Sequence, residues 1–258
     1  MNKGILYLIP NTLGGSSDTT PLSCIIPESS GQITASLDYF IAENAKSARA
    51  HLKRISEIHP LKKPLQQIRM AELNVRTDKA AFPELLAPLL EGQNAGLISE
   101  AGIPAVADPG AGLVRLAHEK GIMVKPLVGP SSLLLALMAS GLNGQSFAFN
   151  AYLPTDSEQR QRRIRSLEER SRHEKQTQIF IETPYRNEVL LKAFCTACRP
   201  GTLLCIATDL TLAGESVRTL PVSSWKKRLE KGQIPDFQNF RCRRRFRCRS
   251  RTAFGCRV

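Results

Sequence analysis

Short apolar runs alternate with amphipathic stretches along the first half of the chain. The apolar runs have the length of buried strands and are bounded by Gly, Pro and polar residues. They predict strands at residues 5–9, 39–42, 67–71, 95–99 and 123–128. The intervening stretches repeat apolar positions every three or four residues and predict helices at 45–55, 79–91, 113–120 and 131–140. This alternation is typical of a parallel sheet with helices on both faces.

The second half of the chain has a different pattern. Its predicted strands are separated by fewer predicted helices, so we expect a mixed sheet there. The strands are predicted at 147–150, 177–182, 202–208 and 216–220, and the helices at 157–173 and 187–198. The sequence GLNG at 141–144 follows a helix end and predicts a domain boundary. The expected fold is α/β, with domains at 1–143 and 144–238 followed by a tail at 239–258.

The tail changes how the charge of the chain is interpreted. It carries eight Arg and no acidic residue, whereas the whole chain has a net charge of +13, so the body is only mildly basic. Such a tail is typical of a nucleic-acid-binding arm or, alternatively, of translation out of frame. We favour the second interpretation because the composition changes abruptly at residue 239. In that case the C-terminal domain would lack an edge strand and be less stable.

Composition and motifs exclude several classes of protein. Cys195 and Cys198 form a C-x-x-C pair without a second pair or a nearby His, which favours buried helix cysteines over a zinc or redox site. The four His are scattered, and no metal site is predicted. No apolar run reaches the ~18–20 residues that span a bilayer, and Pro10 ends the first apolar run without a cleavage signal. We expect a cytoplasmic protein.

The segment SEAGIPAVADPG at 99–110 connects a predicted strand to a predicted helix. Gly102 and Gly110 allow a positive φ or the close approach of a ligand, and Pro104 and Pro109 stiffen the backbone. Ordinary strand–helix loops have about 2–6 residues, so the length of this one favours ligand binding over a plain connection. A second loop, PLVGPSS at 126–132, follows the next strand. Its serines would cap the following helix, and both loops would face one cleft.

Motifs that the chain lacks narrow down the ligand. The dinucleotide fingerprint G-x-G-x-x-G fails at Arg115, and the phosphate-binding loop G-x-x-x-x-G-K-[ST] is absent. A compact, adenosine-like ligand is therefore favoured over a polyphosphate.

Four motifs in this order resemble the tetrapyrrole methylase superfamily. They are SEAGIPAVADPG, PLVGPSSLLLALMASGL, FNAYLP at 149–154 and QIFIETPYR at 178–186. Over residues 4–228 the chain is similar, within that superfamily, to the ribosomal RNA small-subunit methyltransferase I group. The resemblance implies an S-adenosylmethionine-dependent methyltransferase with two α/β domains. It also implies that the cofactor binds in the cleft between the domains and that the protein is a homodimer.

The resemblance further implies which residues contact S-adenosylmethionine, largely through backbone groups. The implied contacts are Leu13, Ala101, Gly102, Ile103, Val106, Ser131, Ser132, Glu182 and Leu210. Asp108 and Pro109 are expected to shape their loop rather than touch the ligand.

The substrate-side loops depart from the ribosomal group. Residues 11–15 read NTLGG without the Gly-Asn of that group, residues 43–46 read ENAK in place of EDTR, and residues 183–186 read TPYR in place of SPHR. Glu100 and Ile103 stand where the group has Asp and Thr. Three functions stay open. In order, they are ribose 2′-O-methylation of ribosomal RNA or the small ribosomal subunit, methylation of a tetrapyrrole-like or other small molecule, and cofactor binding without catalysis.

Methyl transfer from a sulfonium requires alignment and exclusion of water, and it needs a base only when the acceptor must lose a proton. Glu43, Glu72, Glu100 and Asp209 are candidate bases by motif position, although a solvated or structural role is favoured for each. No catalytic residue is assigned.

Two features concern an anionic substrate. The predicted helix at 157–173 is rich in arginine and would contact RNA phosphates or, as we favour, form a solvated face of mixed charge. Its arginines are Arg160, Arg162, Arg163, Arg165, Arg170 and Arg172. Arg186 would bind an anionic group of the substrate or pack between domains.

Overall fold

The structure is a computed structural model that describes residues 2–14, 20–233 and 252–257. The chain divides into two compact units, Met1–Ser131 and Ser132–Val258. The division precedes the boundary predicted at 143, because the helix between these two points packs on strands of the second unit.

The first unit alternates strands with helices. Its strands are β1 (Ile5–Ile9), β2 (Tyr39–Ala42), β3 (Arg69–Glu72), β4 (Ala95–Ile98) and β5 (Met123–Pro126). Its α-helices are α1 (Glu28–Ala35), α2 (Ala45–Ser56), α3 (Phe82–Leu90) and α4 (Gly110–Glu119). Short 3-10 helices lie at Leu22–Cys24, Leu65–Gln67 and Lys79–Ala81.

The strands of the first unit form one parallel sheet in the order β3-β2-β4-β1-β5. The chain crosses the sheet in one direction from β1 through β2 to β3, and in the opposite direction from β3 through β4 to β5. Because crossovers between parallel strands are right-handed, opposite directions place the helices on opposite faces. The loops after the adjacent strands β1 and β4 therefore leave toward opposite faces. Such a switch point opens a crevice at the carboxyl ends of the two strands.

Each face of this sheet has its own hydrophobic core, since successive side chains of a strand point to opposite faces. On β2, Tyr39 and Ile41 pack with residues of α3 and α4, whereas Phe40 and Ala42 pack with residues of α2. The helices thus lie on the faces that the strand order requires.

The second unit carries a mixed sheet, and its helices alternate with the strands along the chain. Its strands are β6 (Phe147–Phe149), β7 (Thr177–Glu182), β8 (Leu203–Thr208), β9 (Ser216–Pro221) and β10 (Thr252–Arg257). Its helices are α5 (Ser132–Ser140), α6 (Ser157–Glu174), α7 (Asn187–Ala197) and α8 (Val222–Glu230). The strand order is β6-β7-β10-β8-β9, and α5 contacts β8, β9 and β10.

β10 lies between β7 and β8 and runs antiparallel to both. Thr252 pairs with Glu182, and Ala253 pairs with Ala207. The carboxyl ends of β7 and β8 therefore lie at the same edge of the sheet. The expectation that an aberrant tail leaves this sheet short of an edge strand is wrong for residues 252–257. They form its middle strand, where their backbone groups pair with those of both β7 and β8. Residues 239–251 lie outside the described part of the chain.

The core of the second unit lies under α6, α7 and α8. The rings of Phe180 and Phe194 pack at a tilt with 5.6 Å between their centroids, and the cluster around them includes Ile164, Leu204 and Trp225. The indole Nε1 of Trp225 donates to the Leu204 carbonyl at 2.8 Å. The predicted strands and helices agree with the structure to within a few residues at their ends, while α1, α8 and β10 were not predicted.

Candidate functional site

The loop at 99–110 begins at the carboxyl end of β4, next to the loop that follows β1. The two loops are joined by an antiparallel bridge between Asn11 and Gly102. Asn11 N donates to the Gly102 carbonyl at 2.8 Å, and Gly102 N donates to the Asn11 carbonyl at 3.2 Å. The loop is thus fixed at the crevice between β1 and β4.

Gly102 adopts a φ of +69°, the left-handed region that favours glycine. A Cβ on this residue would lie 3.3 Å from Leu13 Cδ2 and 3.5 Å from the Pro130 carbonyl oxygen. The space above Gly102 is therefore a narrow cradle with walls from the loops after β1 and β5. It brings together the predicted residues Leu13 and Gly102, and Ser131 follows Pro130 directly.

Asp108 shapes the end of the loop, as expected. Its Oδ1 accepts hydrogen bonds from Ala105 N at 2.9 Å and from Gly110 N, at the start of α4, at 2.8 Å. Ala105 and Ala107 have φ values of 65° and 62°, which cost a non-glycine residue conformational energy. The structure holds the strained segment in place between Gly102 and α4.

The three other predicted residues of this loop differ in exposure. Ala101 and Ile103 are half-buried, and Val106 is exposed near the tip. The loop after β5 is held by α1, because Ser30 Oγ donates to the Val128 carbonyl at 2.9 Å. The accessible groups of the first-unit site thus include the apolar side chains of Ile103 and Val106 and the backbone of small residues. That composition suits an adenosine-like ligand.

Two of the candidate bases hold neighbouring backbone groups. Glu43 Oε2 accepts a hydrogen bond from Glu100 N at 3.1 Å, which ties the loop after β2 to the loop after β4. Glu72 Oε1 accepts from Ala45 N at 3.3 Å, at the start of α2. These contacts agree with the structural role that the sequence favoured for both acids.

Glu182 ends β7 and is completely buried within the second unit. Its Oε1 accepts hydrogen bonds from Thr183 N at 2.8 Å and Thr183 Oγ1 at 3.2 Å, and its Oε2 lies 3.3 Å from Arg186 Nη2. The same Arg186 nitrogen donates to the carbonyls of Leu153 and Pro154 at 3.2 and 3.4 Å. Arg186 thus joins β7 to the segment after β6, and this supports neither a free anion-binding role nor packing between domains.

The other two predicted residues of the second unit lie apart from Glu182 in the chain. Ser132 is the first residue of α5, and Leu210 is buried two residues after the end of β8. Asp209, which precedes Leu210, has a φ of 53°. Its carboxylate lies close to Gly214, since a Cβ on that glycine would be 3.3 Å from Asp209 Oδ2. Since β7 and β8 end at one sheet edge, Glu182 and Leu210 share that edge.

The arginines of α6 divide into two groups. Arg160 is buried, and its Nη1 donates to the carbonyls of Pro154 and Thr155 at 3.2 and 2.8 Å, so it is not part of a surface patch. Arg162, Arg170 and Arg172 form ion pairs with glutamates of the same helix. Arg163 and Arg165 are exposed and have no hydrogen-bond or ion-pair partner among the described residues. The guanidinium groups of these two arginines are therefore exposed to solvent and accessible to an anionic partner.

Sequence reasoning missed the part played by Asn11. Its side-chain Nδ2 donates to the carbonyls of Ser99 and Glu100, both at 3.1 Å, and its Oδ1 accepts from Thr12 N at 2.8 Å. The available signal was an Asn two residues after a strand, in a loop that departs from the ribosomal group.

Other functional classes receive no support from the described residues. Within 2–14, 20–233 and 252–257, no group of three or more His, Cys, Asp or Glu could hold a metal ion. The helices in these ranges are too short or too polar to cross a membrane. Cys195 and Cys198 are half-buried and pack against the core of the second unit, and burial raises the pKa of the Cys195 thiol.

Comparisons with known proteins decide the family. No protein-family model matches the chain. The chain is 31% identical over 208 residues to the ribosomal RNA small subunit methyltransferase I of Synechocystis sp., covering 81% of this chain and 67% of that protein. The chain belongs to the ribosomal RNA small subunit methyltransferase I family. The protein of this name from Escherichia coli O157:H7 is 29% identical over 229 residues, which cover 88% of this chain and 73% of the relative.

A family member of this kind is an S-adenosylmethionine-dependent methyltransferase, as the sequence predicted. The fold agrees with this membership. The crystal structure of cobalt precorrin-4 methyltransferase, a cobalamin biosynthetic enzyme, superimposes with a TM-score of 0.56 and 13% identity, covering 98% of this chain and 94% of that one. The predicted tetrapyrrole methylase fold is therefore confirmed.

Proposed function

We propose that this methyltransferase binds S-adenosylmethionine at the loop after β4 and methylates RNA of the small ribosomal subunit. The observation that carries the cofactor placement is the cradle above Gly102, which Leu13 and Pro130 border and which a Cβ would fill. Proposed first-unit contacts are Leu13, Ala101, Gly102, Ile103, Val106 and Ser131. Ser132, Glu182 and Leu210 are proposed as further contacts on the basis of the family resemblance. Glu182 would contribute backbone groups, since its carboxylate is already engaged.

When bound, S-adenosylmethionine supplies a methyl group on a positively charged sulfur, already activated for displacement. The task of this chain is then to hold the acceptor oxygen in line and to exclude water. The bridge between Asn11 and Gly102 and the hydrogen bonds of Asp108 give the loop a fixed shape for that task.

The proposed acceptor is a ribose 2′-hydroxyl of ribosomal RNA. The names of the relatives support RNA of the small subunit as substrate. The uncommitted Arg163 and Arg165 on α6 suit a phosphate backbone. We also propose a cytoplasmic homodimer, which the family resemblance and the exposed apolar residues Leu134 and Met138 of α5 support.

The first test is calorimetric titration of S-adenosylmethionine into the wild type and the Gly102→Asp variant. We expect the variant to lose at least about tenfold in affinity, because its side chain fills the cradle; tenfold corresponds to about 1.4 kcal/mol. Gly141→Asp is the matched control, since Gly141 has a φ of +68° but nothing within 4 Å of its Cβ position. Wild-type binding that Gly102→Asp leaves intact would contradict the placement of the cofactor.

The second test is transfer of labelled methyl groups to small ribosomal subunits from cells that lack the corresponding gene. Ribose methylation protects the adjacent phosphodiester from alkali, so the label should appear in alkali-resistant dinucleotides. Label in mononucleotides would place the methyl group on a base. That result would refute the ribose as acceptor but not the small ribosomal subunit as substrate.

A further inference from the structure

The two loops of the proposed cofactor site are held together through one side chain. Asn11 is only 5% exposed and lies in the loop after β1, two residues before Leu13. Its amide makes three hydrogen bonds: two to the carbonyls of Ser99 and Glu100, and one from Thr12 N. Both carbonyls directly precede the segment 101–106 that is proposed to contact the cofactor.

An asparagine is chemically suited to this position. A side-chain amide presents two N–H donors and an acceptor oxygen, and here all three groups are used. An aspartate of the same shape would keep the acceptor for Thr12 but would turn its second oxygen toward two carbonyl oxygens. A buried acceptor against acceptors is unfavourable because nothing replaces the lost hydrogen bonds.

The backbone of Asn11 adds a second connection to the same loop through its bridge to Gly102. The side chain and main chain together hold four backbone groups of the loop after β4: the carbonyls of Ser99 and Glu100, and the N–H and carbonyl of Gly102. Glu43, in the loop after β2, holds the loop after β4 separately by accepting from Glu100 N. The geometry around Leu13 and Gly102 therefore depends on Asn11.

We infer that Asn11 is a positioning residue for S-adenosylmethionine, which sets the separation of Leu13 from the segment 101–103 without touching the reacting atoms. This inference rests on the proposed placement of the cofactor. It assigns the Asn of this chain's divergent first loop to cofactor affinity rather than to substrate choice.

The test compares Asn11→Asp and Asn11→Ser with Asn94→Ala. Asn94 provides a matched control, because its Oδ1 accepts from Ile5 N at 2.8 Å and so ties the same strands, β1 and β4, at their amino ends. We expect Asn11→Asp to weaken S-adenosylmethionine and S-adenosylhomocysteine binding by at least about tenfold. Asn11→Ser, which keeps one donor, should lose less affinity, and Asn94→Ala should bind like the wild type.

Steady-state assays on small ribosomal subunits separate positioning from general destabilisation. The KM for S-adenosylmethionine should rise in the Asn11 variants, while kcat at saturating cofactor and the KM for subunits stay near wild type. If Asn11→Asp does not fold, the Asn11→Ser variant decides by the same criteria.

Two results would overturn the inference: Asn11 variants that bind the cofactor within about threefold of wild type, or an Asn94→Ala variant that loses as much affinity as they do. The Gly102→Asp variant distinguishes failure of the proposed cofactor site from failure of the role proposed for Asn11. If it binds the cofactor normally, the proposed site is wrong. If it does not bind while the Asn11 variants do, only the role of Asn11 is wrong.

Discussion

At the residue scale, the structure shows strain where the chain leaves its strands. Ala105 and Ala107 follow β4, Ala151 follows β6, and Asp209 and Thr211 follow β8, all with positive φ. A left-handed conformation costs an L-residue roughly 1–2 kcal/mol, so neighbouring contacts must impose it. Around Ala105, the contacts come from Asp108, which binds Ala105 N and Gly110 N with one oxygen. Strain of this kind commonly accompanies ligand-binding loops.

His51 provides a residue-scale prediction outside the site. It lies on the buried face of α2 at 3% exposure, and neither ring nitrogen has a hydrogen-bond partner among the described residues. Burial, and secondly the charge of Arg54, lower its pKa from 6.5 to about 4. The folded protein therefore favours the neutral ring. The free energy of unfolding should fall by up to about 3 kcal/mol as the pH falls through 6.5 toward 4.

Urea unfolding at pH 7 and pH 4.5 measures this loss. His51→Leu should remove most of the pH dependence in that window. An unaltered pH dependence in His51→Leu would exclude His51 as its source.

Asp38 does not contribute to the pH dependence of stability between pH 7 and pH 4.5. Burial raises its pKa, but hydrogen bonds from Gln93, Lys63 and Lys62 outweigh that effect and lower it to about 2, so its contribution is lost only below about pH 4.

At the element scale, α6 shows how one helix serves two purposes. Its inner face is structural, because buried Glu168 accepts hydrogen bonds from Arg199 N and Thr202 Oγ1 and buried Arg160 binds the segment after β6. Its outer face carries ion pairs between residues one helical turn apart, and such pairs contribute little stability at an exposed surface. The residues left over for a partner are Arg163 and Arg165.

The RNA hypothesis makes a prediction for this helix. Arg163→Glu and Arg165→Glu should each weaken binding of small ribosomal subunits by about 1 kcal/mol, roughly fivefold, and reduce the salt dependence of binding. Arg115→Glu is the control, since it makes the same charge change at an exposed position of α4. Binding measured by filter retention at several salt concentrations distinguishes the variants. Equal losses in all three would show that only net charge matters.

At the scale of the whole molecule, the proposed homodimer makes a prediction for the exposed apolar residues of α5. Leu134 and Met138 lie one helical turn apart and are 53% and 79% exposed. Burial of side chains of this size stabilises an interface by about 1.5–3 kcal/mol each when complete. The family resemblance and this face both favour a homodimer.

We therefore expect the wild type to have the mass of a dimer in light scattering at micromolar concentration. The double variant Leu134→Lys/Met138→Lys should shift it toward the monomer, because two charges would have to be desolvated in the interface. Val75→Lys, at an 87% exposed position in another loop, should leave the mass unchanged. A wild type with the mass of a monomer would refute the dimer proposal.

Much of the fold was determined by the sequence itself. Period-two and period-3.6 patterns depend only on neighbouring residues, so β1, β2, β4 and most helices could be predicted to within a few residues. The loop at 99–110 was recognisable because its Gly and Pro residues act locally on the backbone. The helix α1, with Gly31 in its middle and little amphipathic character, gave no such local signal.

Two features were decided only by the tertiary structure, the formation of β10 and the contacts of Asn11, because both depend on residues distant in the chain. β10 forms because the edges of β7 and β8 are brought to either side of it, a condition that its own sequence does not contain. Asn11 reaches Ser99 and Glu100 only because β1 and β4, 88 and 89 residues apart at these contacts, are neighbours in the sheet. The sequence by itself determined most of the elements, the family and the unusual loop at 99–110. The pairing of strands decided which side chains hold that loop, because hydrogen bonds act over a few ångströms in space and are blind to separation along the chain.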